Sequence, residues 1–169
     1  MKLREIINLN PLPFNWLTDS TCIFEFNTVK YGILLESSKI NVGSRVLRVG
    51  NIVFGRLKDE NTPPSENNLD CSLTNAGNPR TILATVSDAC VNNDFLKTHD
   101  IITLGAVGFE SSKRVKVYSM ILPDLTSHLT NFQHVYTANT QNMGKLIALS
   151  KSPLSEEEID YISDTVLDK

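Results

Sequence analysis

The pattern of hydrophobic and polar positions predicts strands in the first half of the chain and helices mixed with strands in the second. Alternating or β-branched apolar runs, which indicate strands, occupy 21–27, 30–36, 45–57, 100–107, 132–138 and 145–149. Apolar residues three or four apart, which indicate a helix face, occupy 2–9, 79–97, 112–130 and 154–169. This order favours an α+β fold with a central, mostly antiparallel sheet flanked by helices.

The stretch 100–129 organises the chain, because a buried strand, a polar turn and a helix follow one another there. The positions at helical spacing are Val115, Tyr118, Leu122, Leu125 and Leu129. However, the residues from Arg114 to Leu122 also alternate, and Pro123 would cost about 3 kcal/mol inside a helix. The sequence favours a helix over 112–130 but leaves a competitor, a strand to Leu122 with a helix from Pro123.

Turn-forming residues mark the loops and the helix ends. A loop is predicted at 37–44, and the glycine-asparagine pair at 50–51 indicates either a bulge or a hairpin turn that splits the run 45–57. The long polar loop 58–78 is of a length that is typically functional or disordered. Asn78-Pro79 predicts a helix start, and Ser155 with Glu158 predicts a capping box for the C-terminal helix.

Length, composition and charge narrow the class of protein. A chain of 169 residues predicts a single domain, 1–169. Its hydrophobic fraction of 41% and charged fraction of 21% are ordinary for a soluble globular protein. A net charge of −3 argues against general nucleic-acid binding, which needs a basic face. Without an apolar run of about 18–20 residues or a signal peptide, we expect a soluble, intracellular protein with no membrane binding.

Cysteines and histidines lack the spacing of metal or nucleophile motifs. The three widely spaced cysteines predict free thiols, two of them packed as small apolar residues: Cys22, Cys71 and Cys90. The three histidines are interpreted as surface or capping residues: His99, His128 and His134. No Walker loop and no GxGxxG motif occurs. The sequence therefore predicts no metal site and no resident cofactor.

Two turns at predicted helix starts are candidate anion sites, since free backbone N–H groups and the helix dipole favour phosphate there. Their candidate ligand-binding residues are Gly77, Asn78 and Arg80 in the first turn and Ser111, Ser112, Lys113, Arg114 and Lys116 in the second. In the second turn three cations lie at the helix N-terminus, where the helix dipole disfavours positive charge. A phosphate, an acidic side chain or solvent would reduce this repulsion. Tyr118 is the candidate proton donor and equally a core tyrosine with a solvated hydroxyl.

The order of elements resembles the layout of GNAT-type N-acetyltransferases, in which a central strand leads to a cofactor-binding turn and helix, then a further strand and helix. The segment 113–118 carries the likeness of the second helix. This resemblance implies acetyl-CoA as cofactor, with Tyr118 as the tyrosine acid and the turn 77–80 facing the pyrophosphate. The family's Gln/Arg-x-x-Gly-x-Gly/Ala loop is missing, because 74–80 holds one glycine and a proline. We expect a GNAT-like topology with a decayed cofactor loop.

The chain also resembles a group of small uncharacterised proteins of tailed bacteriophages over residues 1–130. The likeness rests on a Met-Lys-Leu first helix, an aromatic-proline turn, a Gly-Asn-x-x-x-(Val/Phe)-x-Thr-Val pattern at 78–86 and a Ser-Arg-x-x-Leu-Tyr stretch at 111–118. This resemblance favours a non-catalytic phage accessory protein that contacts a phage or host protein, as a virion component or a host-factor binder. We expect it in the host cytoplasm or on the virion.

Two other functions stay open at this point. The first is an acyl-CoA-dependent N-acetyltransferase that uses Tyr118 as its catalytic acid. The second is a small-nucleotide-binding protein that uses the turns at 77–80 and 111–116. The leading expectation, contact with a partner protein, is favoured because the fold elements are clear while each site motif is broken.

Overall fold

The computed structural model describes residues 10–71, 79–106, 111–140 and 144–167, so the predicted first helix at 2–9 lies outside the described residues. The strands are β1 (Phe14–Trp16), β2 (Thr21–Phe26), β3 (Val29–Val42), β4 (Arg45–Leu57), β5 (Leu69–Asp70), β6 (Ile101–Ala106), β7 (His134–Asn139) and β8 (Lys145–Ser150). The helices are α1 (Pro79–Val91), α2 (Asp94–Lys97), α3 (Ser111–Tyr118), α4 (Leu122–His128) and α5 (Glu156–Leu167), with a 3-10 turn at Ser119–Ile121.

All of these strands belong to one sheet, in the order β1-β2-β3-β4-β6-β8-β7, with β5 added to β4. Every pairing is antiparallel except that of β4 with β6. Apolar residues of α1, α3 and α4 pack on one face of the sheet, and those of α5 pack on the other. The predicted α+β class with a mostly antiparallel sheet is confirmed.

The hairpin of β3 and β4 is longer than predicted. The predicted loop at 37–44 is wrong, because β3 continues to Val42 and the chain turns only at 43–44. The bulge or hairpin predicted at 50–51 is also wrong, since Gly50 pairs with Ser37 inside an unbroken β4. A Cβ atom at this position would lie 3.2 Å from the ring of His99, so glycine lets the ring pack closely against the strand.

The helix predicted at 79–97 is divided in two. α1 ends at Val91, and α2 begins after Asn93, whose side chain accepts a hydrogen bond from the Leu96 N–H at 3.2 Å. Asparagine favours such caps over helix interiors, which explains the break. The segment 112–130 is helical, so the competing strand is wrong. Pro123 occupies the start of α4, where its missing N–H costs nothing.

The described part of the polar loop, 58–71, is ordered around one buried side chain. The Asn68 amide nitrogen donates to the carbonyls of Asp59, Thr62 and Pro63 at 3.1, 2.8 and 3.1 Å. Its carbonyl oxygen accepts from the Asp59 N–H at 2.8 Å. These bonds hold the loop so that β5 reaches the sheet, while 72–78 lies outside the described residues.

The predicted capping box of α5 is confirmed in both directions. The Ser155 N–H donates to the Glu158 carboxylate at 2.9 Å, and the Glu158 N–H donates to the Ser155 hydroxyl at 3.2 Å. Glu158 also pairs with Arg45 at 2.5 Å, which ties the helix start to the β3–β4 hairpin. The Ser155 N–H and then Arg45 hold the pKa of Glu158 below its usual value.

Candidate functional site

A ligand crevice is expected at the carboxyl ends of β4 and β6. These two strands are parallel neighbours, and such strands open crevices outside their carboxyl ends. Residues Val49–Asn51 of β4 pair with Ile101–Thr103 of β6, and the two strands separate beyond these residues. We call the space between them beyond these residues the opening. α3 begins shortly after β6, so its N-terminus lies at the same end of the sheet.

The chain fills this opening with its own segment 69–71. β3 occupies one edge of β4, so β5 and β6 share the other edge, with Leu69 and Asp70 paired to Leu57 and Arg56. The segment lies directly on β4, because a Cβ atom at Gly55 would come within 2.3 Å of the Asp70 carbonyl oxygen. Leu69 is 4% exposed, so the filling segment is packed and not merely adjacent.

Arg114 joins the filling segment to α3. Its guanidinium donates to the Cys71 carbonyl at 3.3 Å and also makes a side-chain hydrogen bond with Tyr118. Tyr118 is 5% exposed and packs against the ring of Phe54, with centroids 5.1 Å apart. Burial raises the pKa of Tyr118 to about 12, although Arg114 opposes this. Tyr118 is therefore a protonated core tyrosine that lies beside the filled opening.

The thiols are free, as predicted, and none is activated. Cys22 and Cys90 are fully buried, and Cys71 is partly exposed. Burial raises the pKa of Cys22 to about 11 and raises that of Cys90 further. Burial also raises the pKa of Cys71, with Arg114 and Lys58 opposing it. A thiol with a raised pKa is a poor nucleophile at neutral pH.

The structure describes only some of the predicted anion-binding residues. Gly77 and Asn78 lie outside the described residues, while Arg80 is partly exposed in the first turn of α1. The residues that form the first turn of α3 are Ser111, Ser112 and Lys113. Arg114 faces the filling segment, whereas Lys116 is exposed to solvent.

His99 is a residue whose environment the sequence did not indicate. Of the two roles predicted for it, the capping role holds, because its ring bonds to a carbonyl of α2, but it is not a surface residue, because His99 is 0% exposed. Its Nδ1 lies 2.8 Å from the Phe95 carbonyl, and its Nε2 lies 2.8 Å from the Ser37 hydroxyl. Ser37 is 62 positions away, so no local spacing reveals the pair. The capping prediction holds for His128, whose Nδ1 lies 2.9 Å from the Asp124 carbonyl.

Metal binding and membrane insertion are two further roles on which the described residues bear. Within them, no group of three or more histidine, cysteine or acidic side chains is placed to hold a metal ion. In the same ranges, no helix is long and apolar enough to cross a membrane. No family model, curated protein or solved structure matches the chain.

Proposed function

We propose that the chain works through contacts with a partner protein and not through an acyl-CoA cofactor. The observation that carries this proposal is the filled opening, where segment 69–71 lies on β4 in the place available to a cofactor arm. Displacing it would expose Leu69, at about 2 kcal/mol. It would also break the bond between Arg114 and the Cys71 carbonyl, at about 1 kcal/mol. A cofactor would have to offset both.

The far end of the β3–β4 hairpin is the surface that supports a contact role. Val46 on this end is 61% exposed and offers an apolar side chain to a partner. Lys39 and Arg48 lie directly opposite each other on adjacent strands and are both exposed. Like charges in that position repel, so an acidic partner segment would relieve them. The partner we propose is therefore a protein with an acidic, partly apolar surface.

A phage accessory role, as a virion component or a host-factor binder, is the setting we propose for this contact. It is supported by the resemblance of 78–86 and 111–118 to the small tailed-phage proteins. The partner is then a phage or host protein, met in the host cytoplasm or on the virion.

Affinity capture with a matched pair of variants tests the contact proposal. Val46→Asp places a charge at the hairpin end, and Leu17→Asp does the same at a distant residue that is 43% exposed. Proteins from phage particles and host lysate are captured on wild type and on both variants. We expect one partner on wild type and Leu17→Asp that is lost on Val46→Asp. Identical capture by all three proteins would contradict the proposal.

An acyl-CoA-dependent N-acetyltransferase is the second candidate function, and one observation favours it. The chain order β4, α1, β6, α3 with α4, β7 and β8, together with the parallel β4–β6 pair, fits the proposed GNAT-like layout. Tyr118 lies beside the opening in that layout. If this function holds, Tyr118→Phe abolishes acetyl transfer from acetyl-CoA while exposed Tyr161→Phe leaves it unchanged. The contact proposal predicts no transfer by wild type.

A further inference from the structure

One face of the far end of the β3–β4 hairpin is exposed, and a buried histidine lies at its border. The exposed side chains on this face are Ser37, Lys39, Asn41, Val46 and Arg48. Ser37 pairs with Gly50, and the His99 ring packs against Gly50, which has no Cβ to exclude it. The hydroxyl of an exposed serine is therefore hydrogen-bonded to an imidazole that solvent does not reach.

The hydrogen bonds define where the protons lie. A carbonyl oxygen only accepts, so Nδ1 of His99 carries the hydrogen that it donates to Phe95. Nε2 then accepts from the Ser37 hydroxyl at 2.8 Å. Burial lowers the pKa of His99, with Arg48 lowering it further and Asp100 opposing. The neutral imidazole is thus fixed in the tautomer that a general base for a serine requires.

A backbone donor lies next to the same hydroxyl. The Leu35 N–H donates to the Ser20 carbonyl at 2.8 Å, so the backbone N–H of Leu35 points toward the edge of β3 that pairs with β2. Because directions alternate along a strand, the Ser37 N–H faces the same side. The last β2 partner is Thr21, opposite Leu34, so no described strand pairs with β3 beyond that point. The Ser37 N–H can therefore donate to an oxygen that becomes negative during attack.

Two cations lie beside this serine. Lys39 is the next residue on the same face of β3, about 7 Å along the strand. Arg48 is its direct partner on β4. Both are exposed, and neither side chain forms an ion pair with a carboxylate among the described residues, although the Arg48 backbone N–H donates to the Asp100 carboxylate at 2.7 Å. They favour a substrate with a negative charge near the reacting group.

We propose that Ser37 is a nucleophile that accepts the acyl group of small anionic esters, with His99 as its general base. Four observations join in this assignment: an exposed serine, a shielded neutral imidazole bonded to its hydroxyl, a backbone N–H on an edge that no described strand pairs, and a cationic pair. The activity goes beyond the contact role and does not depend on it, so either proposal can fail alone.

With a 4-nitrophenyl ester, the first half of the reaction transfers the acyl group to Ser37. Ser37 Oγ forms a bond to the carbonyl carbon, its proton moves to His99 Nε2, and the bond from carbon to the nitrophenyl oxygen breaks. Nitrophenolate leaves and the proton passes to solvent. In the second half, His99 takes a proton from water, the hydroxide attacks the acyl carbon, and the Oγ–carbon bond breaks. The carboxylic acid leaves and Oγ regains a proton through His99.

Labelling with a fluorophosphonate and hydrolysis of mono(4-nitrophenyl) succinate test the proposal on the full chain. Ser38→Ala is the matched control, since Ser38 is the next residue on β3 and faces the other side of the sheet. We expect mass spectrometry to find the label on Ser37, with labelling and hydrolysis lost in Ser37→Ala and retained in Ser38→Ala. His99→Gln should slow both reactions about 10²–10⁴-fold. Exchange of Lys39 and Arg48 for glutamine should lower the preference for the succinate over the acetate ester about threefold.

An unlabelled wild-type protein, or equal labelling of Ser37→Ala, would overturn the assignment. If His99→Gln does not fold, the pH profile of wild-type labelling decides. A rate that rises with pH through a group whose pKa lies below the usual histidine value supports His99 as the base; the charged side chains that act on its ring are those of Arg48 and Asp100. A labelling rate that does not rise in this pH range would reject His99 as the base.

Discussion

Gly55→Ala is the substitution that most directly disturbs the filling segment 69–71. The added Cβ would lie 2.3 Å from the carbonyl oxygen and 2.7 Å from the carbonyl carbon of Asp70. Both are backbone atoms, so the clash cannot be relieved by turning a side chain. β5 must therefore move away from β4, and the opening between β4 and β6 must lose its filling.

The cost follows from the contacts that the segment makes. Leu69 is 4% exposed, and exposing a leucine costs about 2 kcal/mol. The hydrogen bond from Arg114 to the Cys71 carbonyl contributes about 1 kcal/mol. We therefore expect the free energy of unfolding to fall by about 3 kcal/mol, a decrease in Tm of roughly 6–12 °C for a chain of this size.

Urea unfolding at 25 °C measures this loss, with Gly105→Ala as the matched control. Gly105 also lies in a strand, but its nearest clash is with the tip of the Leu167 side chain, which can rotate. We expect the control to lose less than about 1 kcal/mol. Gly55→Ala should also speed the reaction of the Cys71 thiol with a disulfide reagent. Equal stabilities of the two variants and unchanged thiol reactivity would refute the packing of segment 69–71 on β4.

Three further substitutions test the packing, the loop and the pH dependence. Leu125→Ala, at a residue that is 0% exposed, should cost about 3 kcal/mol in urea unfolding, whereas Leu17→Ala should cost less than about 0.5 kcal/mol. Asn68→Ala removes the amide that holds the 58–71 loop and should cost about 2 kcal/mol, with faster proteolysis of that loop. Glu158→Gln should be less stable than wild type at pH 7. Because the folded pKa of Glu158 lies below its unfolded value, that difference should shrink as the pH falls below the unfolded pKa and vanish below the folded pKa, and a constant difference would contradict it.

Elements defined by neighbouring residues could be predicted from the sequence. The alternation at Thr21–Phe26 and the capping chemistry of Ser155 with Glu158 depend on contacts within a few residues. The helix through Tyr118 was favoured correctly because its apolar spacing outweighs one proline, which lies at a helix start. Local chemistry suffices for such elements.

Features that depend on distant contacts could not be predicted in this way. Gly50 suggests a break when read locally, yet it pairs with Ser37 inside a continuous β4 and lies against the ring of His99. β5 is hidden in a polar loop whose order depends on Asn68. The pairing of His99 with Ser37 joins positions 62 residues apart. In each case a tertiary partner, absent from any local window, determines the conformation.

Isothermal titration of the chain with acetyl-CoA tests the contact proposal and the filled opening most directly. We predict no binding by wild type, and no thermal stabilisation by acetyl-CoA, CoA or a panel of mono-, di- and cyclic nucleotides. A bound ligand at 100 times its Kd would add about 2.7 kcal/mol, or roughly 5–10 °C in Tm. A saturable signal with acetyl-CoA would contradict the proposal and favour the acetyltransferase, and one with nucleotides alone would favour a nucleotide-binding protein.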